Sequence, residues 1–231
     1  YRPLEGHEFT RLLSLHPSPD RDAPLRCHIV HVNAQEVHQY PYKAISYAWG
    51  PPIFTASLFC FPARRELPIT PTLESALRGF RLPSDIRTLW ADAVCINQQD
   101  LDEKSVQVRR MSEIYSNAKY VRIWLGDTAD DSDEAFRVIR LCEPGLIWLS
   151  EKCTKENPRD IKFADLGIDE HPFEGKHPNE ITQAVKRHIT KRGESALRRL
   201  FSRPWFGRRW VIQEAGLAQK GEIHCGSASL S

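Results

Sequence analysis

A chain of 231 residues, 41% hydrophobic and 10% aromatic, can bury a real core, which excludes long disorder. Its 32 Lys and Arg against 30 Asp and Glu leave a formal charge of +2 with both signs mixed along the chain, so no nucleic-acid partner is expected. No apolar run approaches the roughly 20 residues of a membrane span, so no membrane partner is expected either.

None of the chain reads as a signal peptide. At roughly 150 residues per domain, the length fits one large domain or one domain with an insertion. The chain starts at Tyr1 rather than Met and is expected to be a piece of something longer.

Residues 9–15 and 25–32 are rich in branched residues with partial alternation and read as strands. A further apolar run, Tyr42 to Trp49, is stopped by Gly50-Pro51-Pro52. Ser57–Phe61 and Glu66–Ile69 flank Pro62-Ala63-Arg64-Arg65 and are expected to pair as a hairpin. Thr70-Pro71 supplies an N-cap and a first-turn proline, and Leu73, Ala76, Leu77 and Phe80 follow helical spacing.

Thr88–Ala93 reads as a buried strand leading into the polar loop Asn97-Gln98-Gln99-Asp100. Asp100 with Glu103 three residues later resembles a capping box, and the helix it opens carries Val108, Met111, Ile114 or Tyr115, and Ala118 inward. Tyr120–Leu125 is the next strand and a helix follows at about 132–142. From about 150 to 180 the sequence is charged, weakly periodic and bears Pro and Gly, as an insertion would. Helical spacing returns over 181–189 and 197–201, Ser202-Arg203-Pro204 opens a last helix running through Glu214, and 222–225 reads as a strand.

Strand and helix therefore alternate in the second half, which favours an α/β fold with a mostly parallel sheet flanked by helices. The strand-rich part, about 1–70, is expected to add an antiparallel lobe. One domain over 1–231 is expected, with an α/β core at about 42–126 and 200–231.

Six cysteines and nine histidines are dispersed, with no C-x-x-C pair, and His28 and His31 fall on opposite faces of a strand. No metal site and no disulfide framework is expected, and reduced thiols suit the cytoplasm. In an open α/β sheet ligands collect at the carboxyl ends of the strands. Ser46, Trp49, Asp92 and Asn97 all fall there.

Each of these residues has a plainer use. Asp92 and Asn97 suit a turn or helix cap, and Trp49, Trp90, Trp205 and Trp210 suit a core. Cys95 suits an inert buried thiol better than a nucleophile. Glu214 suits a surface pair with Arg208 or Arg209 as well as it suits catalysis. No Walker loop, G-x-G-x-x-G, H-E-x-x-H or G-x-S-x-G is present.

Five blocks, in order, resemble the fungal heterokaryon-incompatibility (HET) domain over essentially the whole chain. They are Tyr42–Gly50 ("Y-x-A-L-S-Y-x-W-G"), Leu89–Gln98 ("L-W-x-D-x-x-C-I-N-Q"), Gln107-Val108 with Met111, Ile114-Tyr115 and Ala118, then Tyr120–Gly126, and Arg203–Glu214 ("R-P-W-F-x-R-x-W-x-x-Q-E"). Departures are mild: Ile45 replaces Leu, Lys104 stands where Arg is frequent, and Phe61–Arg65 replaces a short Asn-Gly turn.

The resemblance implies a cytoplasmic domain that triggers programmed cell death in fungal innate immunity, when genetically different cells fuse. The HET domain is in turn similar to the Toll/interleukin-1 receptor (TIR) domain, which implies a flavodoxin-like sheet. Ile45-Ser46-Tyr47 resembles the first TIR strand, and Ser202 through Trp210 to Glu214 resembles "S-x-W-C-x-x-E", whose glutamate is catalytic in enzymes that cleave NAD. Glu214 is thereby the expected catalytic residue, with NAD as substrate and no cofactor required.

Position alone suggests the rest of the site. Trp49 or Trp210 would stack on a base, Ser46, Asp92 or Asn97 would bond ribose hydroxyls, and Arg203 or Arg209 would meet the pyrophosphate. The alternative implied by the same resemblance is a non-catalytic signalling module. Self-association or a regulatory protein partner is expected in either case.

Overall fold

Branched and aromatic runs divided by Pro- and Gly-bearing turns become nine strands of one mixed sheet. The strands are β1 (Phe9–Leu15), β2 (Leu25–Asn33), β3 (Lys43–Tyr47), β4 (Ala56–Phe61), β5 (Arg65–Ile69), β6 (Arg87–Trp90), β7 (Tyr120–Trp124), β8 (Gly221–Cys225) and β9 (Ala228–Leu230), in the order β5-β4-β2-β1-β6-β3-β7-β8-β9. A computed structural model describes residues 1–142 and 189–231. They belong to two compact units, Tyr1–Asp127 with Arg203–Ser229, and Thr128–Ser202. The expected insertion and the helix at 181–188 lie outside the described residues.

The central block β6-β3-β7-β8 is parallel throughout. The β-rich amino-terminal part, expected from sequence to add an antiparallel lobe, instead extends the same sheet. β1 pairs antiparallel with β6 through Leu13↔Leu89, β2 pairs antiparallel with β1, and the expected hairpin β4–β5 joins β2. Leu12, Leu13 and Leu15 are fully buried, so β1 is central and not an edge.

Among the described residues seven α-helices accompany these strands: α1 (Pro71–Phe80), α2 (Asp92–Cys95), α3 (Leu101–Arg109), α4 (Met111–Asn117), α5 over 132–142, α6 (Lys191–Phe201) and α7 (Val211–Gly216). α1 starts where its sequence dictates: Thr70 Oγ1 accepts from the Leu73 amide, Pro71 fills the first turn, and Leu73, Ala76, Leu77 and Phe80 are buried. A Cβ on Gly79 would stand 2.7 Å from the Trp124 ring, so only glycine lets α1 lie this close to β7. α6, in the smaller unit, is capped in the same way by Thr190.

Three expected boundaries move. The helix expected from Asp100 to Ala118 breaks into α3 and α4 at Arg110 (φ −91°, ψ 0°), whose guanidinium donates to the carbonyl of His7 at 2.7 Å. Within α3 the buried residue is Gln107, whose amide donates to the Phe9 carbonyl at 2.8 Å, while Val108 is half-buried. β6 stops at Trp90, and Asp92 opens α2 instead of ending a strand. The last helix is split as well: a 3-10 turn at Pro204–Gly207 gives way to an extended Arg208 (φ −82°, ψ 138°) before α7. That break turns Arg208 toward Glu214. No helix among the described residues is long and apolar enough to cross a membrane.

Candidate functional site

Alternation along β3 sends Ser46 to the face covered by α7, and the serine is fully buried there. Its hydroxyl donates to Glu214 Oε2 and accepts from the Trp205 indole at 2.7 Å. Glu214, one turn into α7, is 1% exposed, and the Arg208 guanidinium closes a two-pronged bridge on it at 2.8 and 3.0 Å. Both carboxylate oxygens are thus engaged. Paired, charge-assisted bonds of this kind are among the strongest a protein makes. Arg208, 20% exposed, is the member of the pair that reaches water.

Asp92 is buried beside this pair at the end of β6. The Trp49 indole donates to its Oδ2 at 2.9 Å and the Ala93 amide to its Oδ1 at 2.8 Å. Burial pushes the Asp92 carboxyl up to about 6; these two bonds restrain the rise, and the Glu214 charge adds to it. The Tyr47 hydroxyl faces Asp92 yet closes no hydrogen bond of normal length, and burial raises that phenol well above its ordinary value. Below them, Tyr115 donates to the Ile45 carbonyl at 3.1 Å and Tyr42 to the Ile114 carbonyl, which ties β3 to α4. Two tyrosines of the sequence blocks serve this tie.

Of the expected site residues, Ser46 and Glu214 are in direct contact, and Asp92 and Trp49 form a second contact, where the Glu214 charge is felt. Asn97 serves a turn: its side chain accepts from the Gln99 amide and its own amide donates to Glu103. Arg203 donates to the carbonyls of Leu125 and Asp127 at 2.9 and 3.1 Å. Gly126, at φ +108°, stands close enough that a Cβ there would meet Arg203 Nη1 at 3.2 Å. Trp210 is 47% exposed and lines a shallow concavity with Arg209, Ile212 and Leu217 on the outer side of α7.

Cys95 is fully buried and burial pushes its thiol up to about 12, as an inert thiol requires. Among the described residues no three His, Cys, Asp or Glu side chains converge to hold a metal. Of the two partners the sequence offers Glu214, the structure selects Arg208 and buries the carboxylate of the pair; Trp205 as a donor to Ser46 has no sequence signal of its own. Both stand in the Arg203–Glu214 block, but choosing Arg208 over Arg209 requires the backbone break at 207–208.

The family described as heterokaryon incompatibility protein (HET) matches residues 42–214, a span that begins and ends on the tyrosine and the glutamate discussed above. The chain is also similar to "Heterokaryon incompatibility protein 6, OR allele" of Neurospora crassa, with 32% identity over 227 residues. That alignment takes in 94% of this chain but only 33% of the relative, so the chain spans about a third of that protein's length. No solved structure matches the chain.

Proposed function

The chain belongs to the heterokaryon incompatibility (HET) family, and on that premise we propose that it is a cytoplasmic cell-death effector domain of fungal nonself recognition that hydrolyses the nicotinamide–ribose bond of NAD or a related nucleotide. The observation that carries the reading is Glu214, a buried carboxylate bonded to Ser46 at the carboxyl end of β3. The parallel block supports it: its strands run second-first-third-fourth in chain order, as in flavodoxin-like sheets, whose ligands sit at the point where the order reverses. TIR domains share that arrangement.

The chemistry asks little of the protein. The bond from ribose C1′ to the nicotinamide nitrogen breaks with its electrons leaving on nicotinamide, and a water adds to the oxocarbenium-like carbon and releases a proton. Glu214 would hold the ribose hydroxyls and stabilise the positive charge as it develops. Trp49, oriented by Asp92, would offer its ring to the base. For this the Arg208 fork must leave Glu214, and the freed guanidinium would suit the pyrophosphate better than Arg203, which already holds two carbonyls. Self-association or a regulatory protein partner is what draws Arg208 away.

A second reading, the non-catalytic module, is favoured by one observation: both Glu214 oxygens are already bonded and the residue is closed to solvent. Nicotinamide release from NAD by concentrated or artificially clustered protein separates the two. Release by the wild type and none by a folded Glu214→Gln variant upholds the enzyme. No release from either under clustering leaves the module.

A further inference from the structure

At the amino end of the same parallel strands the charges do not balance. Lys43 opens β3, Arg87 opens β6, and Tyr120 opens β7 with Arg122 two residues further along it. Lys43 is in register with both Leu89 and Tyr120, so alternation brings Lys43, Arg87 and Arg122 to one face. The carboxylate on that face, Glu222 of β8, is already taken by Arg122 at 2.7 Å and by His224 at 3.2 Å. Arg87 is half-buried, and among the described residues it makes no hydrogen bond or ion pair; its Nε is shut off from water with no acceptor. The ammonium groups of Lys43 and Lys220 lie 5.8 and 5.7 Å from the centre of the Tyr120 ring, without a carboxylate partner.

Half-buried cations that face one another are unfavourable unless an anion joins them. Burial, then the Arg122 charge, pushes the Arg87 guanidinium down to about 10, and Lys43 is lowered by burial and by both arginines; Glu222 opposes the fall at each without cancelling it. A guanidinium fork beside an ammonium matches the oxygens of a phosphoryl group, and a dianion matches two uncompensated charges better than a single carboxylate does. We propose that Arg87 and Lys43, with Arg122 behind them, form a binding site for a small phosphoryl-bearing anion. The site is independent of the NAD reading, because Lys43 and Ser46 stand three residues apart on β3, about 10 Å at its strand rise, and alternate to opposite faces of the sheet.

Titration calorimetry and thermal unfolding of the 231-residue chain test this with orthophosphate, pyrophosphate and AMP, at fixed ionic strength against chloride. Saturable binding and a raised Tm are expected, with affinity falling about tenfold or more in Arg87→Gln and less in Lys43→Gln. In chloride alone Arg87→Gln should unfold no sooner than the wild type, since the arginine it removes has no partner. Equal affinity for orthophosphate and AMP identifies the free anion as the ligand; tighter AMP binding that is lost in Arg87→Gln identifies a nucleotide phosphate. A destabilised Arg87→Gln with an unchanged phosphate response makes the arginine merely structural and overturns the proposal, as does the absence of a saturable response to all three ligands.

Discussion

In two arginine–carboxylate pairs of the larger unit one member is only 1% exposed, and they differ in how far the other reaches water. In the first, Arg11 is 1% and Glu103 9% exposed; the guanidinium also donates to the carbonyls of Cys95 and Arg2, and the carboxylate accepts from the Asn97 amide. In the second, Glu214 is 1% exposed but Arg208 is 20% exposed, and the remaining partner is a serine hydroxyl, with no backbone group bonded to either side chain. The first pair joins β1, α3 and the loop after α2, and no member can leave without orphaning several groups. The second is bonded only through side chains, and its arginine has water to move into. The same chemistry makes a strut in one place and a latch in the other.

Breaking the strut gives the largest expected effect. Glu103→Ala leaves Arg11 charged and fully buried, which should cost about 3–5 kcal/mol of unfolding free energy in a denaturant titration. A loss under about 1 kcal/mol would mean that the comparison is mistaken and that the strut is as dispensable as a surface pair.

Asp92, next to the latch, should show itself through pH. Its folded pKa of about 6 lies above the unfolded value near 3.8, so the folded state holds the proton longer. Wild-type stability from this group is full below pH 4 and is lost as pH rises through 6. Relative to Asp92→Asn, the wild type should therefore lose about 3 kcal/mol between those limits, read from unfolding curves at several pH values. Parallel curves for the two proteins would sink the assignment.

Glu214→Gln should behave unlike Glu103→Ala. The amide keeps a partner for Ser46, and Arg208 can rehydrate, so about 1–2 kcal/mol of stability is at stake while nicotinamide release is lost. A loss as large as that of the strut would make Glu214 a structural residue.

The periodic parts of this contrast were legible in the sequence and the long-range parts were not. The cap and stripe of α1, the β4–β5 hairpin and the placement of Ser46 near the end of its strand follow from local pattern, and each stands where that pattern puts it. Arg11 and Glu103 are 92 residues apart, and nothing local to either announces the other. Arg208 was one of two adjacent arginines, and only an extended residue between two short helical turns selects it. Gln107 displaced Val108 from the inward position because the Phe9 carbonyl needed a donor, which periodicity does not register. Position suggests Arg203 and Asn97 as ligand residues, whereas in the fold Arg203 holds two backbone carbonyls and Asn97 a turn.

The smallest effect sharpens the latch side of the comparison. Trp49 is 37% exposed, so Trp49→Phe removes little buried area, and what it removes for certain is the indole bond to Asp92. That bond stabilises the charged carboxyl, so without it the Asp92 pKa should rise above about 6 and the pH window of lost stability should extend upward. The net change at pH 7 should be about 1 kcal/mol, the size of a single hydrogen bond. In Asp92→Asn the same Trp49→Phe change should leave the pH dependence untouched, since no titrating group is left for the indole to hold. A double-mutant cycle run at two pH values reads this coupling directly. If the coupling is the same at both, Trp49 is held by packing, and the indole is not oriented by Asp92 for a base to stack on.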